Sequence, residues 1–192
     1  TGCKGFRHLE LEVDPRVLIP RPETEHLVEV AVERLPPGAH VHDVGAGSGA
    51  VALALADERP DLTVTASDLS EGALAVARAN AARLGLEVTF CQADLLEGVD
   101  APHVVANLPY VEEGAALAPE LAHEPAGALF AGLDGLDAFR RFAAQVRAGW
   151  VALEVGAGQA AAVAALLRDA GLGYQDVVRD LAGIERVVVA WR

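Results

Sequence analysis

The sequence predicts an α/β fold, a seven-stranded, mostly parallel, doubly wound sheet that ends in an antiparallel C-terminal hairpin. From His40 onward, short β-branched runs alternate with alanine-rich stretches, which is the pattern of successive βαβ units. A glycine-rich turn, GAGSG at 45–49, follows the first of these runs. The last two apolar runs are too close together for a crossover helix, so they are expected to pair as a hairpin at the sheet edge.

Each predicted element follows from local spacing. The strands are expected at residues 40–44, 62–67, 87–92, 102–107, 149–155, 174–179 and 185–191. The helices are expected at residues 24–35, 48–58, 70–84, 134–148 and 158–170. The helix at 70–84 has a start signal in Ser70 and a stop at Gly85, and its apolar residues recur at helical spacing. Six parallel strands closed by one antiparallel strand would result.

Composition limits the class of protein. At 192 residues and 52% hydrophobic, the chain can bury one substantial core. No apolar run approaches the roughly 20 residues that span a bilayer, and no secretory signal is visible, so we expect a cytoplasmic protein without a membrane partner. The net charge of −13 argues against binding to nucleic-acid phosphates. Two distant cysteines and scattered histidines predict neither a disulfide scaffold nor a metal site.

The glycine-rich turn predicts a nucleotide-like cofactor. Asp43, Gly45, Ala46, Gly47, Ser48 and Gly49 lie between the first strand of the sheet and a helix. Glycines at this point allow a tight turn and a close approach of the backbone to a ligand. The same glycine spacing also satisfies the dinucleotide fingerprint, so it does not choose between cofactors.

Acidic residues end three successive predicted strands. A carboxylate at Asp43 is poorly placed for a pyrophosphate but suits a cationic amino-acid group, which favours S-adenosylmethionine over NAD. Asp68 can accept from both ribose hydroxyls, a device that NAD enzymes share. Asp94 could accept from an adenine amino group, with Leu95 beside the ring. Each acid taken alone is equally typical of a turn or a helix N-cap.

The stretch VVANLPY at 104–110 suggests the chemistry. Pro109 cannot donate to a sheet ladder, so the strand should stop at about Leu108 and leave Asn107 and Tyr110 at its mouth. The side-chain oxygen of Asn107 and the carbonyl of Leu108 could each accept one N–H of a planar NH₂ group. The nitrogen lone pair would then face a methyl donor, while the ring of Tyr110 would lie against the planar group.

Together these residues resemble class I methyltransferases of the amino-methylating branch, which have a Rossmann-like fold. Their signature is Asn-Pro-Pro-Tyr, and here Leu108 replaces the first proline. The chain is more specifically similar to the release factor glutamine methyltransferases, the PrmC/HemK family, over nearly its whole length. The stretches that carry this similarity are RVLIPRPETEHLVE at 16–29, HEPAGALFAGLDGL at 123–136, LEVGAGQ at 153–159 and DLAGIER at 180–186. The family usually has an aromatic residue at the position of His123.

The resemblance implies N5-methylation of the glutamine in the Gly-Gly-Gln motif of peptide chain release factors, with S-adenosylmethionine as cofactor. It implies cofactor contacts at 45–49, Asp68, Leu95 and Asn107, and a glutamine pocket at Asn107, Leu108, Pro109 and Tyr110, with Asn107 and Tyr110 as the catalytic residues. Residues 21–24 would wall the cofactor site, although a proline turn leading into a helix explains them equally well.

The resemblance also implies a domain organisation. Residues 1–35 would form a linker strand or hairpin and a leading helix, joined to a small helical domain ahead of residue 1. Residues 36–192 would form the catalytic domain. The chain begins at Thr1 without an initiator methionine, which fits a longer protein. The segment 111–133 has weak periodicity and several Gly and Pro residues, so we expect a loop with short helical turns that faces the substrate.

Two other functions remain open on the sequence alone. An adenine-N6 or other nucleic-acid amino methyltransferase would use the same amide geometry on a flipped base. A non-catalytic nucleotide-binding module or an NAD oxidoreductase would use the same glycine-rich turn. The acidic charge disfavours the first, and the lack of a Lys, Tyr or His constellation suited to hydride transfer disfavours the second.

Overall fold

The computed structural model describes residues 2–114, 125 and 128–192. Within these residues the strands are β1 (Cys3–Phe6), β2 (Leu9–Glu12), β3 (His40–Val44), β4 (Thr63–Asp68), β5 (Thr89–Gln92), β6 (His103–Ala106), β7 (Trp150–Glu154), β8 (Tyr174–Arg179) and β9 (Glu185–Trp191). The α-helices are α1 (Glu25–Arg34), α2 (Ala50–Glu58), α3 (Glu71–Leu84), α4 (Asp137–Gln145) and α5 (Ala160–Asp169). A short 3₁₀ helix, Pro22–Thr24, precedes α1.

Strands β3 to β9 form the expected seven-stranded sheet, in the order β5-β4-β3-β6-β7-β9-β8. The first five strands in this order pair in parallel, and β9 is antiparallel to both β7 and β8. The predicted fold class is therefore confirmed. The expected hairpin of β8 and β9 lies at the sheet edge. Its outermost strand is β8, which is only partly covered, whereas β9 carries the fully buried run Val187–Ala190.

Both faces of the sheet are covered by helices, as a doubly wound fold requires. On one face, Val41, Val105 and Val189 belong to the cluster that contains α1 and α2. On the other face, Val104 and Val188 pack with residues of α4 and α5. Alternate residues of single strands thus enter different clusters, which is the two-residue periodicity of a strand buried on both sides.

All of the predicted strands and helices are present; β3, β8 and β9 have the expected limits, and most of the others are shorter. The signals for α3 are confirmed: the Ser70 hydroxyl accepts from the Ala73 N–H at 3.2 Å, and Gly85 ends the helix with a φ of 68°. The helix expected at 134–148 spans only Asp137–Gln145, because the chain turns through Gly135 at a φ of 69°. Strand β6, expected at 102–107 with a stop at about Leu108, ends at Ala106, where its pairing with β7 ends.

Strands β1 and β2 form a separate antiparallel hairpin within the expected 1–35 segment. Its turn residue Arg7 makes a two-pronged ion pair with Glu58 of α2, both distances 2.7 Å, and a third contact with Glu29 of α1 at 2.8 Å. Buried Asn80 of α3 bonds to the backbone N–H and C=O of Glu12 at 2.8 and 3.0 Å. The hairpin is therefore tied to three helices.

Part of the expected loop at 111–133 lies outside the described residues, and so does His123. Its described ends meet in an isolated bridge between Val111 and Phe130. Over the described residues, none of the helices has both the length and the apolar character that crossing a bilayer requires.

Candidate active site at the carboxyl ends of the parallel strands

The carboxyl ends of β3, β4, β5 and β6 meet around one cavity of about 580 Å³. This size lies in the usual range for small-molecule sites. The predicted site residues that line it are Gly45, Gly47, Asp68, Asp94, Leu95, Asn107, Leu108 and Pro109. Parallel sheets bind ligands at this edge, where the strand order reverses between neighbouring strands, here β3 and β6.

The glycine-rich turn is shaped by backbone bonds to β4. The N–H groups of Gly45 and Ala46 both donate to the Ser67 carbonyl, at 2.8 and 2.9 Å. Gly47 has a φ of 54°, and a Cβ added there would meet no atom within 4 Å. The turn therefore leaves open space at the point where a ligand would approach the backbone. Gly49 instead packs against Leu53 and Ala77 under the start of α2 and lines no part of the cavity.

Asp43 lies beneath this turn and is 2% exposed. Its carboxylate accepts from the Ala52 N–H at 3.2 Å, in the first turn of α2. Burial raises the pKa of Asp43 to about 7. Together with Ser48 and Asn107, Asp43 lines a smaller niche of about 50 Å³ beside the glycine-rich turn.

Asp68 and Asp94 both line the cavity, but their carboxylates have different partners. The two oxygens of Asp68 accept from the backbone N–H groups of Gly47 at 2.9 Å and Ser70 at 2.8 Å, which fix the carboxylate at the end of β4. Asp94 pairs with Arg141 of α4 at 2.5 Å. Leu95 follows with a φ of 55°, a left-handed conformation that is uncommon for a leucine.

Asn107 is oriented by a residue far away in the sequence. Its Nδ2 donates to the Thr24 hydroxyl at 3.0 Å, and Thr24 is 4% exposed. Within the part of the chain that the structure describes, no group donates to Asn107 Oδ1. The amide nitrogen is therefore occupied, and its carbonyl oxygen is available at the cavity.

Tyr110 is held in place by residues of the segment that follows β7. Gln159 donates to the Tyr110 carbonyl at 3.0 Å and accepts from the Gly156 N–H at 3.0 Å. A Cβ on Gly156 would lie 3.0 Å from the Tyr110 ring, and one on Gly135 would lie 2.3 Å from the Tyr110 carbonyl. Burial and the charge of Glu154 raise the pKa of the Tyr110 phenol to about 12, so it stays protonated.

The described residues contain no cluster of three or more side chains that could hold a metal ion. Among the histidines that the structure describes, His42 is the most deeply buried, and it faces the hydroxyls of Thr65 at 2.8 Å and Ser67 at 2.9 Å. Burial lowers its pKa to about 4, so it is neutral at physiological pH. His42 is therefore a residue of β3 whose ring hydrogen-bonds to side chains of β4.

Comparison with known proteins separates the functions that this geometry allows. Residues 23–132 match the methyltransferase small domain family. A release factor glutamine methyltransferase of Gloeobacter violaceus is 48% identical over 99% of this chain and 72% of its own length. One from Deinococcus radiodurans is 44% identical over 100% of this chain and 73% of its own length. The chain belongs to the release factor glutamine methyltransferase family.

A solved structure agrees with this family assignment. The release factor-specific protein-(glutamine-N5) methyltransferase of Alicyclobacillus acidocaldarius is 34% identical to the chain. The alignment covers 95% of this chain and 99% of that one, with a TM-score of 0.55. The resemblance seen in the sequence is therefore confirmed.

Sequence reasoning missed several residues of this methyltransferase site. Arg16, Val17 and Leu18 line the cavity, as do Asp137, Ala138 and Arg141 of α4. Residues 128 and 130–132 also line it, and they belong to the loop that is expected to face the substrate. The similarity of 16–29 to the family implies that residues 21–24 wall the cofactor site, but no local pattern places residues 16–18 against the cavity. The ion pair of Asp94 with Arg141 joins residues 47 positions apart and leaves no local signal.

Proposed function

We propose that this chain transfers a methyl group from S-adenosylmethionine to the side-chain nitrogen of the glutamine in the Gly-Gly-Gln motif of peptide chain release factors. The family supplies the class of reaction. The observation that carries the proposal is the orientation of Asn107, whose Nδ2 donates to Thr24 at 3.0 Å. An acceptor oxygen is thereby available beside the cavity, as recognition of an NH₂ group requires.

The cavity residues fit the cofactor. Asp68, fixed by two backbone N–H groups, suits a ribose diol, and Gly45 and Gly47 allow close approach of the backbone. Buried Asp43 lies under the same turn, and Leu95 offers an apolar contact at the rim. Asp94 would have to share its carboxylate between Arg141 and an adenine amino group. When bound, S-adenosylmethionine supplies an electrophilic methyl carbon on a sulfonium.

The substrate nitrogen needs positioning more than it needs a base. A glutamine amide nitrogen is a weak nucleophile because its lone pair is delocalised into the carbonyl. Asn107 Oδ1 and the Leu108 carbonyl would each accept one N–H, which turns both protons aside and frees the lone pair. Tyr110, neutral and held by Gln159, would offer its ring to the planar amide. Positioning of this kind can supply a large share of the reduction in activation free energy that an enzyme achieves.

A labelling experiment tests the proposal. The chain is incubated with methyl-labelled S-adenosylmethionine and one of three acceptors: a release factor, its variant with glutamate in place of the motif glutamine, or adenine-containing DNA. We expect label only in the unaltered release factor, because the glutamate variant has no NH₂ group. Label in DNA alone, or equal label in both release factors, would contradict the proposal.

A further inference from the structure

Glu154 ends β7 directly beside Asn107. Strands β6 and β7 pair in parallel with Ala106 opposite Leu153, so Asn107, which follows β6, comes next to Glu154, the last residue of β7. Glu154 is 1% exposed, and its Oε2 has no hydrogen-bond partner among the described residues. A buried carboxyl with an unpartnered oxygen costs the fold free energy, so stability alone does not explain it.

The groups around Glu154 link it to the substrate pocket. The hydroxyls of Thr24 and Tyr110 lie near enough to its carboxyl to lower the pKa of Glu154 against the effect of burial. The same Thr24 hydroxyl oxygen accepts from Asn107 Nδ2 at 3.0 Å. When the Thr24 proton is directed to Glu154, the Thr24 lone pairs are left for the Asn107 amide. The Thr24 hydroxyl is therefore near both the Asn107 amide and the Glu154 carboxyl.

We propose that Glu154 is a positioning residue, which in its ionised form directs the Thr24 proton and thereby keeps Asn107 Oδ1 facing the substrate amide. This inference rests on the proposed function. Protonated Glu154 would itself donate to Thr24 and compete with Asn107 Nδ2. Thr24 could then donate to Asn107 Oδ1 and withdraw the acceptor from the pocket.

The environment of Glu154 places this change near neutral pH. Burial, with a smaller contribution from the charge of Glu23, raises its pKa to about 7, although Thr24, Arg186 and Tyr110 act in the opposite direction. We therefore expect kcat at saturating cofactor to rise as the pH increases through about 7.

The central test is Glu154→Gln, which keeps the shape and removes the charge. We expect its kcat to fall roughly tenfold or more at pH 8, because Asn107 would no longer be held toward the substrate amide. The fall of kcat below about pH 7, the acid limb of the pH profile, should also disappear. Thr24→Val should also have a lower kcat at pH 8 and no acid limb, whereas Thr24→Ser keeps the hydroxyl and should retain the acid limb. Because both residues act in one relay, Glu154→Gln combined with Thr24→Val should cost little more than either change alone.

Two variants serve as controls. Asp43→Asn removes the other buried carboxyl with a pKa near 7, and it should retain the acid limb of kcat. Glu87→Gln removes an exposed carboxylate that precedes β5, at the opposite edge of the sheet, and should behave as the unaltered chain. An acid limb that survives in Glu154→Gln but vanishes in Asp43→Asn would overturn the proposal.

Two measurements do not depend on activity. The side-chain ¹⁵N resonance of Asn107 should titrate near pH 7 in the cofactor-free chain and should not do so in Glu154→Gln. Since the native pKa of Glu154 lies above its unfolded value, its contribution to stability is lost as the pH rises through the native pKa. Glu154→Gln should therefore unfold at equal or higher urea concentration at pH 8.

These readouts separate the two proposals. An unaltered chain that methylates no glutamine contradicts the proposed function, while the Asn107 titration still tests Glu154. An active chain whose Glu154→Gln variant keeps the full pH profile and the Asn107 titration contradicts the role of Glu154 alone.

Discussion

Asn107 is the residue on which the proposed chemistry depends most. Replacing it by alanine removes the acceptor oxygen, whereas the glycine-rich turn and Asp68 remain in place. We expect Asn107→Ala to lower turnover by at least about 100-fold, the scale of one lost preorganised contact, while the Kd for the cofactor stays nearly unchanged. Single-turnover kinetics and calorimetry measure the two quantities. Turnover equal to that of the unaltered chain would refute the role of Asn107.

The position of the Tyr110 ring depends on the absence of a side chain at Gly156. A Cβ on Gly156 would lie 3.0 Å from the Tyr110 ring and 2.8 Å from Gln159 Oε1, so Gly156→Ala should displace both. We expect the KM for the release factor to rise roughly tenfold, since the ring would no longer fit the substrate amide. Gly173→Ala is the matched control, because a Cβ there meets nothing within 4 Å. Equal KM values for the two variants would count against this role of the ring.

At the scale of elements, Arg7 fastens the β1–β2 hairpin to α1 and α2. Its guanidinium is largely buried and contacts Glu58 and Glu29 at 2.7 to 2.8 Å. We expect Arg7→Ala to lower the free energy of unfolding by about 2 kcal/mol, as for hydrogen bonds to charged groups. Arg78→Ala breaks an exposed pair with Glu71 and should cost under about 1 kcal/mol. Urea denaturation measures both, and equal losses would contradict the anchoring role.

The elements themselves could be predicted because their signals are local. Ser70 and Gly85 mark the ends of α3, and alternation of β-branched and alanine-rich runs marks the βαβ units. The strand-end position of Asn107 followed from the same reasoning. The partner that orients Asn107 could not be found this way, because Thr24 is 83 positions distant and its contact depends on how α1 packs against the sheet.

The same limit applies to the segment LEVGAGQ at 153–159. It matched the family in sequence, but its spacing gave no reason for Glu154, Gly156 or Gln159. In the fold, β7 lies next to β6, which places Glu154 near Asn107 and Thr24. Gly156 lies against the ring of Tyr110, and Gln159 donates to the Tyr110 backbone carbonyl. Topology, and not local sequence, gives these residues their surroundings.

At the scale of the whole molecule, the strand order determines where the chemistry can occur. The chain winds from β3 outward to β5 and then returns to place β6 on the other side of β3. The crevice at this reversal brings Gly45 next to Asn107, whose backbone carbonyl would lie 3.7 Å from a Cβ on Gly45. A cofactor on the turn and an amide on Asn107 would therefore be neighbours.

The most direct test is a crystal structure of the chain with S-adenosylhomocysteine and a peptide that contains Gly-Gly-Gln. We expect the glutamine side-chain nitrogen within about 3 Å of both Asn107 Oδ1 and the Leu108 carbonyl, the normal hydrogen-bond range. The cofactor sulfur should face that nitrogen from the glycine-rich turn. A glutamine bound elsewhere, or a sulfur that points away from Asn107, would contradict the account.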